Sequence, residues 1–105
     1  MTALIWSPFA DEASAEAAAN LLLEERLVAC ANIVPGMRSL YVWQGERGEA
    51  REVGVLFKTD ASLLDRATAR LAEIHPYEAP AVLGWRADTA AHATRDWLRT
   101  LVRET

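Results

Sequence analysis

The densest local chemistry in the chain is His75-Pro76-Tyr77-Glu78-Ala79-Pro80. An imidazole, a phenol and a carboxylate share one proline-stiffened connection there and could together hold a cation or a polar ligand. The same residues also suit a rigid helix-to-strand turn, with Tyr77 packed and His75 at a helix C-terminus, where a positive charge complements the dipole. By chemistry alone the turn is the simpler reading. Cys30 falls inside an apolar run, where a lone thiol ordinarily serves as a small buried hydrophobe. A zinc site would need at least two further ligands beside it, and His92, expected in solvent early in a last helix, stands at no metal-ligating spacing from it. Trp43 and Trp97 could stack a flat ligand, but their positions on a strand and a helix suit core or interface packing better. Lys58 either holds an anion, if it points into a cleft, or ends a strand in water. No glycine-rich phosphate loop follows the first strand, and no spacing suggests a Ser-His-Asp arrangement. Residue spacing therefore predicts no enzyme.

These side chains must be positioned by a long two-stranded ribbon spanning residues 28–59. Its first half runs over residues 28–34, bends at Pro35-Gly36 and resumes over 37–43. Its second half, residues 52–59, is rich in β-branched and aromatic residues. Residues 45–51 alternate charge and glycine, as an exposed hairpin tip does. Side chains alternate sides along a strand, so Tyr41 and Trp43 share one face and Leu40 and Val42 the other. Both faces are apolar, which predicts that the ribbon packs against another copy of the chain.

Around the ribbon, Leu4-Ile5-Trp6 reads as a buried strand stopped by Ser7-Pro8. Asp11 is an N-cap candidate, and Glu12 complements the start of a helix that runs to Arg26, with Ala13, Ala17 and Leu21 on one face. Ser62 reads as the cap of a second helix carrying Leu64, Ala67, Leu71 and Ile74, which Pro76 ends. Pro80 opens a strand over 81–85. Asp88 or Thr89 caps a last helix with Ala90, Ala93, Trp97 and Leu101 on one side. The order β-α-β-β-α-β plus a terminal helix predicts a single α+β domain over residues 1–105. Its class is a ferredoxin-like split βαββαβ sandwich with a long central hairpin. That sandwich leaves one sheet face bare, a second reason to expect a homo-oligomer.

Bulk composition narrows the partners. With 51% hydrophobic and 25% charged residues the chain is an ordinary globular domain. A net charge of −4 argues against nucleic acid, whose binding rests on phosphate neutralisation by Lys and Arg. No apolar run approaches the ~20 residues of a membrane span, and no basic leader precedes the first apolar run. A single Cys forms no internal disulfide and fits a reducing, cytoplasmic setting.

Several blocks, taken together and in order, resemble the CutA divalent-ion tolerance family. They are Glu24-Glu25-Arg26-Leu27-Val28-Ala29-Cys30-Ala31-Asn32, Pro35-Gly36, Ser39-Leu40-Tyr41, Trp43-Gln44-Gly45, Lys58-Thr59 and His75-Pro76-Tyr77-Glu78-Ala79-Pro80. The resemblance implies a ferredoxin-like subunit, a tight homotrimer whose hairpins cross subunit boundaries, and a role in tolerance of copper and other divalent cations. A likeness to the PII signalling trimers implies an alternative: a sensor or adaptor binding a small anionic ligand between subunits, with Lys58 as charge partner. Carried over residue by residue, the candidate cleft falls on Cys30, Trp43, Lys58, His75 and Tyr77. Of these His75 is the metal ligand the resemblance leaves, and Glu78 or a group from a neighbouring subunit is expected to complete its site. The chain departs from the pattern at Ser7 and Ile74, where some members carry a thiol and a further histidine. It also carries Ala81 in place of a glutamate, and Gly84-Trp85 in place of Leu-Pro. A hydroxyl and a branched alkane are poor copper ligands. The expectation is therefore no firm cofactor and weak divalent-cation binding at His75.

Overall fold

The computed structural model describes residues 1–103. In chain order the elements are β1 (Thr2–Phe9), α1 (Glu12–Glu24), β2 (Cys30–Trp43), β3 (Glu46–Asp60), a 3-10 turn (Ala61–Leu63), α2 (Leu64–Ile74), β4 (Leu83–Arg86) and α3 (His92–Arg103). One four-stranded sheet, ordered β2-β3-β1-β4 with every pair antiparallel, forms a single layer. Its inner face (Ala3, Ile5, Phe9, Val53, Val55 and Phe57) packs on Ala15, Ala18 and Leu22 of α1 and on Leu64, Ala67 and Leu71 of α2. This is the α+β ferredoxin-like sandwich expected from the element order.

Strand β1 runs past its expected end at Trp6 and through Ser7-Pro8 to Phe9. Proline is tolerated here because β4 pairs only with Ala3 to Trp6, leaving that side of Pro8 without a ladder to break. Helix α1 begins as expected: Asp11 Oδ1 accepts the Ser14 amide at 2.7 Å. It stops at Glu24, two residues earlier than expected, because Arg26 adopts a left-handed φ of 57°. The amides of Arg26 and Leu27 bond back to Leu23 and Leu22, closing a Schellman-type cap.

The hairpin turn is shorter than the sequence suggested. Gln44 and Gly45 alone form it, at φ 52° and 81°, the two-residue turn whose twist matches the strands it joins. Residues 46–51 are strand, not loop. At Pro35-Gly36 the ribbon carries a bulge: Val34 pairs with Gly54 and Met37 with Glu52, so two residues oppose Val53. The extra residue inverts the alternation and places Tyr41 and Trp43 on the same side as Glu52.

Helix α2 is preceded by a cap that differs from the expected Ser62. Asp60 accepts the Ser62 amide at 3.0 Å and the Ser62 hydroxyl at 2.5 Å, so Ser62 is the donor. Strand β4 lies at 83–86, and α3 starts at His92, where the Arg95 amide makes its first bond to the Ala91 carbonyl. Trp97 on α3 is 44% exposed and is not core.

The second sheet face is only partly covered by the described residues: α3 lies against β3 and β1 with Leu98 and Leu101 buried, apart from the core under α1 and α2. Leu83 and Trp85 of β4 are 61% and 45% exposed there, beside Leu4 and Trp6 of β1 and Leu56 of β3. Beyond Val53 the ribbon leaves the sheet and pairs only with itself, which gives the molecule an extent of 45 Å along its longest axis.

Candidate functional site

The connection from α2 to β4 is held by bonds that its sequence makes possible. His75 ends α2 with an extended backbone, φ −64° and ψ 135°, as required before Pro76. Its ring is 6% exposed and stacks on Phe9, with centroids 4.2 Å apart and planes 14° from parallel. Nε2 lies 2.9 Å from the Pro8 carbonyl, and Nδ1 accepts the Tyr77 amide at 3.1 Å. An acceptor role at Nδ1 assigns the proton to Nε2, which donates to Pro8. Burial pushes the imidazole pKa below its ordinary value, against the opposing effects of the Pro8 bond and the Glu52 charge. Alongside, the Ser7 hydroxyl donates to the Ala81 carbonyl at 2.7 Å. Strand β1 thus grips the connection at two successive residues.

Tyr77 then reaches the ribbon. Its hydroxyl donates to Glu52 at 2.6 Å. Burial, and next the Glu52 carboxylate, raise the phenol pKa well above its usual value. Between ribbon and connection lies a groove of about 530 Å³, walled by Tyr41, Trp43, Tyr77, Pro8 and Ala81, in which Glu52 is the one charged lining residue among those described.

The structure sorts the expected site residues into three places. Trp43 and Tyr77 line the groove together. Cys30 and Lys58 are direct cross-strand partners, both half-buried, on the second sheet face and do not line the groove. His75 lies beneath the connection with both nitrogens hydrogen-bonded, while Glu78 is exposed on it. A cation taken by His75 would have to displace one of these bonds. Ser7 is fully buried with its hydroxyl engaged, and Ile74 packs on the core. His92 is outside the site, with Nε2 3.2 Å from an Asp96 carboxylate oxygen. Among the described residues no group of three or more His, Cys, Asp or Glu side chains is placed to hold a metal ion. Sequence reasoning missed Glu52 and Pro8. Glu52 stands at the head of an apolar strand, where an isolated acid is the one available signal, and a backbone carbonyl carries no residue-specific signal.

Comparison with known proteins adds to this geometry. The sequence model of the family described as CutA1 divalent ion tolerance protein matches residues 3–101. The divalent-cation tolerance protein CutA of Pyrococcus horikoshii is 37% identical over 102 residues, 97% of this chain and 96% of the relative. That of Thermus thermophilus is 40% identical over 88 residues, covering 84% and 85% of the two chains. The crystal structure of CutA from Xylella fastidiosa superposes with a TM-score of 0.89 at 34% identity, over 96% of this chain and 97% of the other. The chain therefore belongs to the CutA1 divalent ion tolerance family.

Proposed function

We propose that the protein works as a cytoplasmic homotrimer in the response to copper and other divalent cations, by binding and not by catalysis. The observation that carries this reading is the exposed apolar surface of β4, Leu83 and Trp85, together with a ribbon whose Leu40, Tyr41, Val42 and Trp43 are 60%, 46%, 68% and 55% exposed. A stable monomer seldom leaves so extended an apolar surface in water. Its burial between copies is the economical explanation, and obligate interfaces commonly exceed ~2,000 Å².

Divalent-cation binding in this reading is weak. One imidazole with a neighbouring carboxylate, His75 with Glu78, falls short of the three or four ligands of a protein metal cage. The imidazole must also give up one of its two hydrogen bonds. The groove favours a cation over the anion of the sensor alternative, since its charged lining group is Glu52 and Lys58 lies elsewhere. Calorimetric titration of the assembled protein with copper tests this: the reading expects micromolar or weaker binding, abolished by chelator. Nanomolar binding, or none at millimolar copper, would contradict it.

A further inference from the structure

The two sides of the ribbon differ in charge. On the groove side, Tyr41 and Trp43 stand opposite Gly48 and Glu46, with Glu52 at the base, so the charges projecting there are carboxylates. On the reverse side Leu40 and Val42 lie among Arg38, Arg51, Glu49 and Arg47. Arg38 and Arg51 are direct cross-strand partners, an arrangement that costs stability between like charges. Arg38 turns to Glu49, with Nε 2.5 Å from Oε1. Arg51 is exposed and, among the described residues, has no ion-pair partner.

We infer that Arg51 of one copy enters the groove of the next copy, lies against Tyr41 and Trp43, and pairs with Glu52. Arg51 and Glu52 are adjacent along β3, so their side chains leave opposite sides of the ribbon at successive positions. Ribbons stacked in one direction bring each Arg51 to a neighbour's Glu52. A planar guanidinium suits the groove because it stacks on aromatic faces while bonding a carboxylate. Glu52 uses Oε2 for Tyr77, which leaves Oε1 for the incoming arginine. The contact joins two different patches, so it is head-to-tail and closes into a ring when the rotation permits. The groove is then completed by a residue that its own chain cannot supply. This inference rests on the homotrimer reading and names the contact within it.

The test is dissociation of the assembly on dilution, followed by sedimentation. Arg51→Ala should raise the dissociation constant about tenfold and Arg51→Glu about a hundredfold, with Arg51→Lys between wild type and alanine. Arg51 and Trp43 lie on opposite sides of one ribbon, so their effects should add unless the contact is between copies. A double-mutant cycle of Arg51→Ala with Trp43→Ala should therefore show coupling of about fivefold or more. Circular dichroism checks that each variant is folded. If wild type assembles and Arg51→Glu dissociates like it, or if the cycle is additive, this contact is wrong while the homotrimer stands. A wild-type protein that is monomeric at micromolar concentration overturns both.

Discussion

Tyr77 and Glu52 are 25 residues apart in sequence, and their side chains meet in a 2.6 Å hydrogen bond. The bond fastens the helix-to-strand connection to the base of the ribbon, and both residues line the groove between them. Tyr77→Phe removes the donor and leaves the carboxylate without its partner. We predict a loss of roughly 1–2 kcal/mol in urea unfolding, at the low end for bonds to a charged group because both residues are half-exposed. Glu52→Gln keeps an acceptor and should lose less. An unchanged midpoint for Tyr77→Phe would mean that the bond contributes nothing net.

Stability should depend on pH through His75. Its folded pKa lies below the ordinary 6.5 because the ring is buried, so between the folded value and 6.5 the unfolded chain binds more protons. This contribution is fully present above 6.5 and is lost as pH falls through the folded value. Protonation at Nδ1 would also set a donor against the Tyr77 amide. Melting temperature should therefore fall as pH drops below about 6.5, and this component should vanish in His75→Gln. Identical pH profiles for the two proteins would contradict the assignment.

The fold was largely legible because its elements carry strong periodic signals. Leu64, Ala67, Leu71 and Ile74 mark α2, and the β-branched run after Glu52 marks β3. The misread segments have local causes. Residues 46–51 look like a loop because that part of the ribbon stands clear of the core and bears charge on both strands. Ser7-Pro8 looks like a stop because a proline's neighbours across the sheet are not visible in sequence. For the site, Trp43 and Tyr77 were identified and do share the groove. Cys30 and Lys58 were grouped with them although strand register pairs these two residues elsewhere, outside the groove. Register is a long-range property that no single strand encodes.

Trp43 distinguishes assembly from folding. Its indole is 55% exposed in the single chain, so Trp43→Ala should leave the folding of that chain nearly unchanged. If the ring is buried between copies, the assembly should lose about 3–5 kcal/mol. Dissociation on dilution and a blue-shifted tryptophan emission in the wild-type assembly check this. Equal dissociation of mutant and wild type would place the indole in solvent.

Copper binding should follow the protonation of His75, since imidazole binds metal only when neutral. The lowered pKa keeps it neutral to a lower pH than a free histidine. Affinity should therefore hold through pH 6.5 and fall at more acid pH, and His75→Ala should abolish binding while lowering the melting temperature through loss of the Phe9 stack. Binding that survives in His75→Ala would locate the cation elsewhere, with Cys30 the first residue to substitute.

In the homotrimer reading the exposed ribbon and the apolar surface of β4 are covered by further copies of the chain. Multi-angle light scattering at micromolar concentration measures this directly. The predicted mass is three times that of one chain, unchanged by chelator. A mass of one chain, with the exposed tryptophans emitting as if in water, would contradict it.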